Sequence, residues 1–477
     1  MGKSKSNKNW TLITSFILMF SFFILIAVKL FAIQYSDIDE ITFTHEERVK
    51  RIEAPRGNIL SEDGRILSVT MPVYDVRLDL KTIDEDVFNS NVKELSEKLS
   101  ELFRDGSVSY YEKKLKSNRE ELILLSRYDG DQQKSIVEVR DINTFEILHT
   151  YDPNISDLLI ENKIKDFTVI DKFYMWHPIV TSDGSLIFKN NSPLIKINFN
   201  NELVWINNDG EYSHATELDL DENIYVPSIK KDISQKVYEY VGTYSSKIDD
   251  KYVFKDNHIN IINNEGKIIF SKSVSEILIE NGYDYKIFPQ SVFIIDPIHL
   301  NDIQPVLQDS PYFKKDDLFL SLRNLHMIML YRPKTNKIIK IIEGPFSNQH
   351  DVDIINNKTI SIFNNNTFID YKNERYVKNN NEILFYDFET DKFSKKFENT
   401  LKEQKISTIF EGLADFLVDG SAIIEETDNG RIIFVNKDGD LIWEYYNLDS
   451  KKRLYNVWWS RVLTVENSKK LRKIIIN

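Results

Sequence analysis

The chain of 477 residues has no cysteine, which excludes disulfides, thiolate metal sites and cysteine nucleophiles. Histidine is scarce, with only eight in the whole sequence, so each one in a polar phrase is a candidate for chemistry. Positive charge is also short. With 61 Lys and Arg against 74 Asp and Glu, the formal net charge of -13 argues against nucleic acid or an anionic membrane surface as the main partner. What is abundant is apolar and aromatic: 42% hydrophobic residues, with 29 Phe and 23 Tyr, enough to bury a large core.

The N-terminal run LITSFILMFSFFILIAV, Leu12 to Val28, is uncharged, and with Lys29 snorkelling it is long enough to cross a bilayer. Lys3, Lys5 and Lys8 precede it, which predicts a cytoplasmic tail over 1–10, a transmembrane signal anchor over 11–33 and everything after it outside. A charged start and an apolar stretch also fit a cleaved signal peptide, but no A-x-A-type cleavage site follows. The expected location is the inner membrane, single-pass, with the bulk of the chain periplasmic or extracellular.

Next comes RIEAPRGNILSEDGRILSVTMPVYDVRLDL, Arg51 to Leu80, in which Asp63-Gly64 between two apolar runs predicts a hairpin. Helical spacing follows over roughly Asp86 to Lys116, with Val92, Leu95, Leu99 and Leu102 on one face. Residues 34–120 thus read as a small α+β stalk. The phrases IEAPRG, NILSEDGRIL and YDVRLD resemble the non-catalytic juxtamembrane region of class B penicillin-binding proteins. Catalysis of that kind would need a K-T-G motif, which is absent; Lys334-Thr335-Asn336 comes nearest. Ser90 to Lys93 and Ser228 to Lys231 match Ser-x-x-Lys only formally.

From about Leu122 the texture changes to short β-rich runs closed by polar turns. One phrase type recurs six times, an apolar strand meeting an Asn, Asp or Gly turn from which another strand leaves: EVRDINTFEIL, IKINFNNELVWI, INIINNEGKIIF, MLYRPKTNKIIKI, LFYDFETDKFSKKF and IFVNKDGDLIWEY. The copies stand roughly 45 to 70 residues apart, the cadence of radially repeated four-stranded sheets. This predicts an all-β fold, a six-bladed β-propeller over 121–477, with a pair of β-sandwiches as the alternative.

Four phrases join chemically able side chains to these strands: SHATELDLDENIYVPS around His214, IDPIHLNDIQPV around His299 and Asn301, LFLSLRNLHMIML around Arg323, and GPFSNQHDVDI around His350. Singly, each has an ordinary structural explanation: a hydrogen-bonded histidine, an arginine paired with a carboxylate. Asp219 and Asp221 read as turn residues. Asp351 and Asp353 read as turn or solvent-facing, since adjacent strand residues point to opposite sides, although one of them could orient the His350 ring.

As an ordered set, the four phrases resemble the bacterial arylsulfate sulfotransferase family over about residues 122 to 465. The resemblance implies transfer of a sulfuryl group from a phenolic sulfate ester to a phenolic acceptor, with no nucleotide donor and no cofactor. It implies His350 as the sulfated residue, His214 and His299 as supporting histidines, and Asn301 and Arg323 as holders of the sulfuryl oxygens. These residue types suit sulfuryl transfer, because a guanidinium fork matches anionic oxygens, neutral imidazole can attack sulfur, and a second histidine can shuttle the phenolic proton. The pattern departs from expectation at Asn364, Asn365 and Asn366, where a D-N-G type turn would be expected.

Two other readings stand beside this one. In the first, the propeller is a catalytically idle binding module whose stalk docks on cell-wall synthesis machinery. In the second, the three histidines bind zinc as in a metallohydrolase. The expected partners of the enzyme are small aromatic molecules and, through the N-terminal helix, the membrane; a homodimer is compatible with the same reading.

Overall fold

All six recurrent turn phrases are hairpins of one kind: each joins the last two strands of an antiparallel up-and-down run within one blade. The computed structural model describes residues 111–476 except 163, 165–172, 231–232, 243–253 and 289–293, together with the backbone of 59–60, 66–68 and 110, and residues Ser21 and Ile24. The turns close because an Asn or Asp side chain accepts hydrogen bonds from backbone N–H groups ahead of it. Asn198 Oδ1 receives Asn200 and Glu202, Asn263 receives Glu265 and Lys267, and Asn436 receives Asp438 and Asp440, all at 2.9–3.1 Å.

The chain divides into two units, Met1–Phe88 and Asn89–Asn477. In the first, Ile59–Leu60 pairs antiparallel with Ile66–Ser68 on either side of the expected Asp63-Gly64 turn. The rest of the stalk resembling penicillin-binding proteins lies outside the described residues. So does the anchor segment 11–33 apart from Ser21 and Ile24, both helical. Among the described residues no helix is long and apolar enough to cross a membrane.

The second unit holds six blades, each with its first strand innermost. The second to sixth begin with Trp176–Val180, the bent pair Glu211–Tyr212 and Glu217–Leu218, Leu300–Pro305, His350–Asn356 and Leu413–Phe416. The first blade is composite. Arg461–Leu463, from the C-terminal end of the chain, pairs with Leu122–Asp129, which continues to Lys134–Asp141 and Ile147–Tyr151. This joins the two ends of the ring and settles the choice between propeller and sandwich. Tyr110–Lys113 forms a fifth, outer strand on the sixth blade, paired with Leu441–Tyr446. The helix expected to reach Lys116 therefore gives way to a strand at these residues: Tyr111 stacks on Phe145, a tertiary contact that overrides local spacing.

Six apolar layers lie between successive blades, and strand alternation divides the side chains between them. Leu122 and Leu124 face the second blade, while Ile123 and Leu125 face the sixth. Each fully buried Leu or Ile contributes about 1.5–3 kcal/mol of hydrophobic stabilisation. The C-terminal helix Val465–Ile476 places Leu471 in the layer between the first two blades. Around the axis, carboxylates tie one innermost strand to the next. Asp302 accepts from Val352 N, Asp351 from Ala414 N and Asp415 from Val462 N, at 2.7–2.8 Å. Arg461 reaches across three blades, donating to Pro178 O and Thr216 O and pairing with Glu217.

Candidate active site

Each blade places a non-glycine residue with left-handed backbone at or just before its innermost strand: Trp459, His177, His214, His299, Asp351 and Glu411, with Asn348 as a second in the fifth blade, all with φ between 45° and 60°. L-residues seldom adopt this conformation, and it recurs at the start of the innermost strand in every blade. Register slips accompany it in the second and fifth blades, around His177 and Asp351. Such bulges break the two-residue alternation. Hence His350 and Asp351, adjacent in sequence, are both buried. The expectation that Asp351 faces solvent or a turn fails for this reason, and half-buried Asp353 is likewise surrounded by acidic neighbours. Asp219 meets its expectation, accepting from Asp221 N and Asn223 N in a turn.

All five residues singled out in the sequence stand in this region. The His214 and His299 rings are 4.8 Å apart, and those of His214 and His350 6.4 Å apart. His350 is 3% exposed, and burial, followed by the positive charge of Arg323, holds its pKa well below the usual histidine value. His214 is lowered in the same direction by burial and then by His299 and His350. Both are neutral at neutral pH.

His350 Nδ1 lies 2.7 Å from Asn365 Oδ1. The amide orientation of Asn365 is set by its own Nδ2, which donates to Glu411 O at 2.7 Å and Thr408 O at 3.3 Å. Its Oδ1 can only accept, so Nδ1 of His350 carries the proton and Nε2 keeps its lone pair. The asparagine run that departed from expectation thus orients the histidine: Asn365 sits at the end of the fifth blade's second strand, beside the start of its first.

His299 Nδ1 lies 2.7 Å from Asp296 Oδ2. Burial opposes ionisation of Asp296, but the hydrogen bond and charge of His299 outweigh it, and its pKa falls below the ordinary carboxylate value. The ionised Asp296 accepts the Nδ1 proton of His299 and so fixes the orientation of the ring. Arg323 begins a short 3-10 turn and donates through Nη1 to Asn324 Oδ1 at 2.9 Å; Asn324 is itself held by Asp296 O. Burial and then the charge of Arg375 lower the Arg323 pKa to about 10, so it stays cationic. Asn301 donates to Gln349 O at 2.8 Å, while its Oδ1 is buried with no partner among the described residues.

Sequence reasoning missed Asp296, Asn365, His177, Glu411 and Lys189. Asp296 had a visible signal, standing three residues before His299 in the same phrase. His177, between Trp176 and Pro178, had none. Among the described residues no group of three or more His, Asp or Glu side chains is arranged to hold a metal ion, and two of the clustered rings commit Nδ1 elsewhere.

The family profile described as arylsulfotransferase (ASST) matches residues 177–448. No curated protein matches the sequence. Among solved structures, a protein of unknown function from Bacteroides caccae is 11% identical, covers 72% of this chain and 99% of its own, and has a TM-score of 0.44. TolB from Acinetobacter baumannii is 9% identical over 72% and 66% of the two chains, with a TM-score of 0.39. An inactive virginiamycin B lyase from Staphylococcus aureus, solved with quinupristin, is 9% identical over 72% and 90%, with a TM-score of 0.36. None of these three likenesses bears on the chemistry.

Proposed function

The chain belongs to the arylsulfotransferase family, and from that premise we propose that it moves a sulfuryl group from a phenolic sulfate ester to a phenolic acceptor through a sulfohistidine at His350. The observation that carries the reading is the His350–Asn365 pair, which leaves a neutral imidazole with its Nε2 lone pair free.

In the first step the Nε2 lone pair attacks sulfur as the S–O bond to the aryl group breaks, and the phenolate takes a proton from His299. In the second, the acceptor phenol returns a proton to His299 as its oxygen attacks sulfur and the N–S bond breaks, restoring both histidines. Asp296 holds the His299 ring through Nδ1 while it gives up its proton in the first step and takes one back in the second. Arg323 supplies a fixed positive fork for oxygens whose charge redistributes in the transition state, and the Asn301 amide, held by Gln349 O, is the further polar contact for the group. His214, neutral between His299 and His350, packs against both rings. The N-terminal apolar run anchors the protein in the inner membrane, with the propeller outside.

Full-length protein exposed to 4-nitrophenyl sulfate without acceptor should gain about 80 Da, the mass of one sulfuryl group, on His350. His350→Ala should lose both the adduct and turnover. Turnover that survives in this variant would overturn the covalent route, and wild-type protein that releases no nitrophenol would favour the idle-module reading.

A further inference from the structure

The axial ring contains a pair for which the proposed transfer has no use. His177 in the second blade and Glu411 in the sixth occupy the same left-handed position in their blades as His214 and His299 do in theirs. Trp459 of the first blade stands between them in blade order, and its ring lies 4.6 Å from that of His177. Past it, His177 Nε2 comes within 3.5 Å of Glu411 Oε1, too far for a hydrogen bond. His177 is 1% exposed, yet neither ring nitrogen has a hydrogen-bond partner among the described residues, and Glu411 Oε2 is buried without one as well. Leaving such groups buried and unpaired is costly, so each calls for a partner.

The pair adjoins the reacting histidine. Asn365, which holds His350, is itself held by the backbone oxygen of Glu411. Yet its character is opposite to that of the Arg323 side. When ionised, the Glu411 carboxylate repels sulfuryl oxygens, and its unpartnered oxygen accepts, so it needs a donor.

We propose that His177 and Glu411 form a subsite for a hydrogen-bond-donating substituent, an amine or second hydroxyl, on the aryl acceptor. The identification of the ligand as an acceptor rests on the sulfotransferase reading. The donor group of the substituent sits on Glu411 Oε2, and the His177 ring, backed by Trp459, closes the other side. Burial pushes the pKa of Glu411 up to about 7, against the opposing pull of Lys189, which is bonded to Thr216 Oγ1 and is itself lowered by burial to about 7.

The test is calorimetric binding of phenol and of the three aminophenols to full-length protein with no sulfate donor present, beside an assay of wild-type sulfation of phenol. At least one aminophenol should bind wild type about tenfold tighter than phenol, the size of one hydrogen bond to a charged group. The preference should vanish in Glu411→Leu and weaken in Glu411→Gln, which preserves shape should the leucine variant not fold. Equal binding of all four phenols by wild type, or an unchanged preference in a folded Glu411 variant, overturns the subsite and leaves the transfer reading standing. A preference that vanishes as expected in a protein that sulfates nothing keeps the subsite and overturns the transfer reading.

Discussion

Asn365 Oδ1 receives the Nδ1 proton of His350 at 2.7 Å, although fifteen residues separate the two. Asn365→Ala should leave His350 free to exchange tautomers and turn its ring, lowering kcat by about 10–100-fold, the usual cost of losing a group that orients a reactive imidazole. Nitrogen NMR of the histidines would show mixed tautomers at His350. An unchanged His350 spectrum with full activity would remove Asn365 from its positioning role.

In the proposed transfer Asp296 holds the His299 ring that gives the departing phenolate its proton, and this role weighs most where the phenolate needs that proton most. Asp296→Asn should therefore slow transfer from phenyl sulfate, whose phenolate is the stronger base, far more than from 4-nitrophenyl sulfate. Plotting log kcat/KM against leaving-group basicity should give a steeper slope in the variant. Parallel lines for variant and wild type would assign the proton to another group.

Asp415 illustrates the acid burden of the axis. Burial pushes its pKa up to about 6, against the opposing pull of the Val462 N–H. A carboxyl whose folded pKa is raised stabilises the fold fully below its unfolded pKa, and this contribution is lost as pH rises through the folded value. Asp415→Asn, which can still accept from Val462, should thus gain melting temperature relative to wild type between pH 4 and 7, and hold the gain above. Histidines buried neutral act oppositely, losing stability as pH falls below about 6.5, so the difference between the two proteins is the quantity to measure. A constant difference across this range would show that Asp415 does not titrate there.

Much of the architecture was legible because its signals are local. Asn198, Asn263 and Asn436 close their turns with hydrogen bonds to residues two and four ahead, so the repeat they punctuate can be read from a short window. The Tyr110–Lys113 strand could not be read in this way. It exists because Tyr111 finds Phe145 and the edge of a sheet more than three hundred residues away.

The candidate site divides similarly. His214, His299, Asn301, Arg323 and His350 announced themselves through the wording of their phrases. Asp351 was misplaced because a bulge, absent from any alternation rule, keeps it buried beside His350. His177 and Glu411 carry no local mark at all.

By itself, then, the sequence determined the number of repeats, the alternation within strands and the residue types able to perform the chemistry, since all of these depend on neighbours along the chain. Only the tertiary structure decided which of those residues meet. Arg461–Leu463 joining Leu122–Asp129 closes the ring, and closure brings the second and sixth blades close enough for His177 to approach Glu411. That distance depends on the packing of six blades around one axis, a property that no window of the sequence contains.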